Sequence, residues 1–276
     1  MYEMKRGKLL LHIAYYMNPD KRLDNKHGID KSSNEFTEHV LQGVMMFLEE
    51  INNYEGFDQK DVVLDINEEN VDVQRIDQLK YPNINLSFNI YNFHDEHPFR
   101  LTTKHRILIQ SKMNDYDWFG YSEDDTIISK ESIDYLVNNS INLFEKENKV
   151  YTIPRLVHDQ SNNYFFSDIR NSSSVIKTVN GKAVNPENRF GACWLYPKKV
   201  MEEWVKNKSF LNFNYKNVNG GIRVMMGWGI SEIDAIVPIN CDNEPALKCI
   251  HNGYSGKYYF PHPGGFHKLP INKLCR

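Results

Sequence analysis

Trp118-Phe119-Gly120-Tyr121-Ser122-Glu123-Asp124-Asp125 is the stretch on which the reading of this chain turns. An aromatic, apolar run of strand length passes without a break into three consecutive carboxylates. Short apolar runs of this kind suit a strand buried in a parallel sheet. Three adjacent carboxylates repel one another, and their charges are costly without strong donors or a cation nearby. A hard divalent ion, Mn²⁺ or Mg²⁺, answers that need, because it takes oxygen ligands from one or two carboxylates and the rest from substrate phosphates. The same acids would also suit a solvated turn at the start of the next helix, where negative charge is favourable.

Working outward, the neighbouring segments alternate between strand and helix patterns. Residues 9–16, Leu-Leu-Leu-His-Ile-Ala-Tyr-Tyr, read as a buried strand. A polar loop over residues 18–33 leads to a helix over 34–52, in which Val40, Val44, Phe47, Leu48 and Ile51 recur at three and four. Asn34 or Ser33 can cap it. Residues 62–66 form a second strand, ending in Asp65 and Ile66 before Asn67. Residues 84–93 form a third, and 101–112 a helix. After the acidic triplet a helix starts near Ser129 or Lys130, and residues 150–157 return to strand. This order predicts an α/β fold with a mostly parallel, Rossmann-like sheet flanked by helices. Ligands of such sheets bind beyond the carboxyl ends of the strands. The triplet stands at such an end.

Composition narrows the function. The 276 residues suit one α/β domain with elaborations, read here as residues 1–276 without a visible boundary. A net charge of -3 gives no general electrostatic hold on nucleic acid. The longest apolar runs fall short of the roughly 18 residues that a membrane span requires. The four cysteines form no CxxC pair and no disulfide framework, which fits reduced thiols and a cytoplasmic setting, the host cytoplasm for a viral protein.

The series His97-Pro98-Phe99-Arg100-Leu101-Thr102-Thr103-Lys104-His105-Arg106, then Tyr121-Ser122-Glu123-Asp124-Asp125, then Ile153-Pro154-Arg155 resembles a group of bacterial and viral glycosyltransferases of the GT-A type. In that group an acidic triplet stands as a DXD-like motif. The resemblance covers roughly residues 8 to 170. It implies a nucleotide-sugar donor, UDP-linked by preference, a glycan or other hydroxyl acceptor, and Mn²⁺ or Mg²⁺. It implies a donor half at about residues 8–150 and an acceptor half at about 151–276. Asp125 would ligate the metal. Glu123 would contact the ribose or a metal-bound water, and Asp124 would complete the group. Asp65 and Asn67 would face base and ribose. His12, Tyr15 and Tyr16 would line the nucleotide pocket, and Lys104 or Arg106 would neutralise the diphosphate. A further metal ligand is expected from a histidine near the C-terminus: His251 first, then His262 or His267.

The second half is less regular. Residues 190–196 read as a strand and 197–206 as a helix. Residues 220–230, with four glycines, read as a helix or as backbone that hugs a ligand. An inverting transferase needs a carboxylate base. Glu232 and Asp234 are the nearest acids to that segment. Three other readings use the same parts. A sugar nucleotidyltransferase would carry a Gly-rich loop after the first strand, where only Gly28 stands. A metal-dependent nuclease would favour clustered acids, and a non-catalytic carbohydrate-binding or assembly protein would keep the fold without metal or nucleotide affinity.

Overall fold

The computed structural model describes residues 7–16, 34–67, 71–91, 101–158, 160–161, 164–166, 174–186, 193–206, 210–211, 234–239, 246–247, 249–251 and 269–270. In chain order the elements are β1 (Lys8–Tyr15), α1 (Asn34–Asn52), β2 (Gln59–Ile66), α2 (Val71–Gln78), β3 (Asn85–Ile90), α3 (Leu101–Ser111), β4 (Trp118–Glu123), β5 (Thr126–Ile128) and α4 (Lys130–Glu147). The second half holds β6 (Lys149–Tyr151), β7 (Arg155–His158), β8 (Tyr164–Phe166), β9 (Val175–Thr178), β10 (Gly181–Val184), β11 (Cys193–Pro197), α5 (Lys198–Lys206), β12 (Asp234–Ile239), β13 (Cys249–His251) and β14 (Leu269–Pro270).

The central sheet runs β11-β4-β1-β2-β3. β1 lies parallel to both β2 and β4, β2 is parallel to β3, and β11 is antiparallel to β4. The expected mostly parallel α/β sheet is therefore present. Its faces follow from alternation along β1. Leu9, Leu11, Ile13 and Tyr15 pack with Phe36, Val40, Val44 and Phe47 of α1. Leu10 and Ala14 join Leu101 and Ile109 of α3 and Val200, Met201 and Trp204 of α5 on the other face. Helices thus cover both sides, and each large apolar side chain buried there stabilises the fold by roughly 1.5–3 kcal/mol. Two further sheets, β6-β12-β10-β9 and β14-β8-β7-β13-β5, complete the described strands.

One expectation needs correction, and two elements are additional. The helix α2 falls where none is predicted; it is eight residues long and mostly polar, with Ile76 fully buried. Residues 150–157 are not one strand, because Thr152-Ile153-Pro154 separates β6 from β7 and sends them into different sheets. The β9–β10 hairpin is also new. It turns through Val179 and Asn180, and Gly181 takes a φ of 116°, a region that glycine reaches at little cost. The segment 220–230 lies outside the described residues.

No basic residue stands in the last turn of α1. The positive charge comes from β2 instead. Buried Lys60 donates from Nζ to the carbonyls of Ile51 (2.8 Å), Asn52 (2.9 Å) and Tyr54 (2.6 Å), and burial pulls its pKa down to about 8. Ile51 and Asn52 close α1, where a helix end leaves carbonyls short of intrahelical partners, and Tyr54 stands just past that end. Replacing Lys60 with Met keeps the stem and removes the donors. The expected cost is about 2–4 kcal/mol of unfolding free energy, measured in urea. A midpoint equal to that of the parent would show that water serves those carbonyls as well.

Candidate active site

The parallel part of the central sheet has the order 3-2-1-4, so chain connections leave β1 in opposite directions on its two sides. Open α/β sheets bind ligands at such a switch point, beyond the strand carboxyl ends. Here those ends are Tyr15-Tyr16 of β1 and Glu123 of β4, and Ala14 is in register with Glu123. The Tyr16 N–H donates to Asp124 Oδ2 at 3.0 Å, which ties the acidic turn to the end of β1.

The triplet does not cap a helix. β5 intervenes between it and α4, and Ser129 already serves as N-cap, its hydroxyl accepting from Ser132 N at 3.3 Å. Asp124 and Asp125 form the link through which the chain passes from β4 in the central sheet to β5 in the second five-stranded sheet. Glu123 is part-buried there. Burial, reinforced by Asp125 and Asp124, pushes its pKa up to about 8, while Arg155 opposes the rise. Ionising Glu123 is therefore costly in the cation-free protein.

Strand pairing completes the neighbourhood. β5 is antiparallel to β13, with Thr126 opposite His251. β13 is parallel to β7, with Cys249 beside Arg155. The backbone of His251 thus stands one residue beyond Asp125 across the ladder. Arg155 has no role in the sequence reading, although its strand does. No spacing rule connects residue 123 to residue 155; only the β5-β13-β7 pairing does.

The other expected residues divide between the mouth of the site and the interior. Tyr16 and Asn67 are part-buried at the ends of β1 and β2. Lys104 sits with its Nζ 5.7 Å from the centre of the Tyr91 ring, just past the end of β3. Tyr15 points the other way, into the α1 face, and its hydroxyl donates to Asp72 of α2 at 3.2 Å. His12 and Asp65 are both buried and face each other, with His12 Nδ1 2.8 Å from Asp65 Oδ2. Asp65 also accepts from Asn89 Nδ2 at 3.1 Å. This pair lies on the α3 face of the sheet, beside His105, whose ring centre is 6.0 Å from that of His12 and 4.2 Å from that of Tyr121.

Arg106 is not brought to the acidic turn. It is buried, donates to the Phe210 carbonyl at 3.2 Å, and places its guanidinium 5.6 Å from the Trp204 ring centre. Asp234 opens β12 in register with Lys149, just past the far end of α4, whose 18 residues span about 27 Å. It does not stand beside the triplet. Glu232, His262 and His267 lie outside the described residues, as does the side chain of His251.

Among the described residues no group of three or more His, Cys, Asp or Glu side chains is placed to enclose a metal ion. The donor chemistry of the turn nonetheless fits a hard cation of the shared kind. Glu123 and Asp125 offer oxygen ligands, and a phosphate-bearing ligand would supply further oxygens.

No protein-family model matches the chain, and no curated protein matches it by sequence. Among solved structures it is similar to a Desulfovibrio desulfuricans protein described as a nucleotide-diphospho-sugar transferase, at 8% identity and a TM-score of 0.41, over 84% of this chain and 79% of that one. It is also similar to the bifunctional glycosyltransferase WbbM, at 15% identity and a TM-score of 0.38, over 74% of this chain and 33% of that one. A cytidylyltransferase of Leptospira borgpetersenii follows at 9% identity and 0.33, over 72% of this chain and 63% of that one. The chain therefore spans a third of WbbM and less than two thirds of the cytidylyltransferase. These are likenesses of overall plan, and the site is read from this chain's own residues.

Proposed function

We propose that the chain is a metal-dependent glycosyltransferase that moves a sugar from a nucleotide-sugar, by preference a UDP-sugar, to a hydroxyl of a glycan acceptor. The observation that carries this reading is the place of the acidic turn: at the switch point of a parallel sheet, fastened to the end of β1 by the 3.0 Å bond between Tyr16 N and Asp124. Glu123 and Asp125 would hold Mn²⁺ or Mg²⁺, with His251 the candidate third ligand. The ion would supply positive charge to the leaving diphosphate. Asp124 keeps the turn against β1. Arg155 offsets part of the charge around Glu123. Lys104, Tyr16 and Asn67 stand at the mouth, where a nucleotide would enter. Asp234 stands past the far end of α4, and Glu232 is only two residues from it in the chain, so neither is assigned as the base.

The test is a thermal-shift panel of UDP, GDP and CMP with Mn²⁺ or with EDTA. A ligand that binds only the native state raises the midpoint, by about 2.7 kcal/mol of stabilisation at one hundred times its Kd. The expected result is a rise with UDP and Mn²⁺ that disappears in EDTA, because diphosphate and acids are both negative and need a bridge. The same rise in EDTA would refute a metal-bridged site. A rise followed by sugar transfer to water or glycan, detected by mass spectrometry, would support transfer over simple binding.

A further inference from the structure

We propose that Thr126, paired with Ser122, is the positioning residue of the acidic turn: their hydroxyls set the direction in which the Glu123 and Asp125 carboxylates leave the backbone. This rests on the function proposed above. The chain changes sheets between β4 and β5 within Asp124 and Asp125. Thr126 and Ser122 are both buried at that corner, 1% and 0% exposed. Their hydroxyl oxygens are 2.6 Å apart. Thr126 Oγ1 also lies 2.9 Å from the Glu123 carbonyl and 3.2 Å from the Glu123 N–H.

The proton count gives each group a role. Thr126 has one hydroxyl hydrogen, and the Glu123 carbonyl can only accept, so Thr126 donates there. Ser122 then shares its hydrogen between Thr126 Oγ1 at 2.6 Å and the Thr126 carbonyl at 3.2 Å. The two lone pairs of Thr126 Oγ1 accept the Ser122 hydroxyl and the Glu123 N–H. Both backbone polar groups of Glu123 are thereby fixed by one oxygen. That oxygen is itself held by β5, which pairs with β13 at Thr126 and His251. Threonine suits this better than serine, because branching at Cβ restricts χ1. Outer-sphere partners of this kind matter because ligand groups must be held to within about 0.5 Å.

The experiment uses the full chain and two readouts. The first is hydrogen exchange at the Glu123 amide in EDTA, which involves no metal. The second is Mn²⁺ affinity by electron paramagnetic resonance. Thr126→Val keeps the shape and deletes the hydroxyl. It is expected to speed exchange at Glu123 by about tenfold or more and to weaken Mn²⁺ binding by about 10–100-fold. Thr126→Ser should restore most of both. If Thr126→Val does not fold, Ser122→Ala, which removes the donor to Thr126, should show smaller changes of the same sign. Parent-like exchange and parent-like Mn²⁺ affinity in the folded Thr126→Val or Ser122→Ala variant would overturn the clamp. A parent protein that binds no Mn²⁺ would instead overturn the metal reading, and the exchange data would still decide whether Thr126 fixes the turn.

Discussion

Asp125→Asn is expected to lower sugar transfer by about a hundredfold or more while the protein melts at the same or a higher temperature. Asn matches Asp in size and keeps one carbonyl oxygen, so packing at the corner is preserved. What it loses is a charge. The cation would stabilise negative charge that grows on the diphosphate as the bond to the sugar breaks, and Asp125 is one of the two carboxylates assigned to hold it. In the cation-free protein the same charge is a burden, since Asp125 is the largest electrostatic contributor to the raised pKa of Glu123. Removing it relieves that repulsion. Loss of transfer together with loss of folding would make Asp125 structural. Full activity would remove the main support for a glycosyltransferase, because capping of α4 is already supplied by Ser129.

The cation-free protein should also lose stability as pH rises from about 6.5 to 8, and Mn²⁺ should restore it. Glu123 has a folded-state pKa of about 8 against an ordinary 4.5. Between those values the folded state holds a proton that the unfolded state has released. Stability therefore falls as pH rises through this window, by at most about 1.4 kcal/mol per pH unit. The slope should be shallower than that limit, because Glu123 keeps some contact with solvent. Below 6.5 a second group opposes it. Burial, aided by His12 and Arg106, holds His105 well below its usual 6.5, so the unfolded state binds the extra proton and stability rises with pH. Above about 8, Lys60 acts in that same direction. Among the described residues, Glu123 is the group whose resolved shift spans the window from 6.5 to 8. Melting temperatures in EDTA should decline across it, Glu123→Gln should flatten the decline, and Mn²⁺ should stabilise more at pH 8 than at 6.5. A flat profile for the parent would contradict the raised pKa.

The parts of this structure that the sequence makes legible are those decided locally. The apolar run of β1, the three-and-four pattern of α1, and the aromatic strand ending in Glu123 each specify their own element. So does the Ser129 cap of α4. The position of the triplet at a strand's carboxyl end follows from the same local reading. What escapes is decided by tertiary contact. Arg106 resembles any helical arginine until the Trp204 and Phe210 rings close over it. Asp234 is near residues 220–230 in sequence but is carried to the far end of α4 by pairing with Lys149. Arg155 and Thr126 gain their roles from pairing across β5, β13 and β7, which no local pattern encodes. α2 is too short and too polar to announce itself.

The Lys60 contact has a bearing on how the chain avoids misassembly. Side chains alternate along β2, with Lys60, Val62, Leu64 and Ile66 toward α1 and Asp61 and Asp65 toward the other side. Sliding β2 by one residue along β1 would exchange the two sets. The slide would bring Asp61 and Asp65 to the face where Val62, Leu64 and Ile66 now pack, and Lys60 adds to that cost. Lys60 does not permit the exchange. Its ammonium would move to the opposite layer, Asp61 would face the end of α1, and three carbonyls would meet an anion in place of a cation. The helix end thus acts as a gauge against which β2 is measured, because the three Lys60 bonds form only in the native alignment.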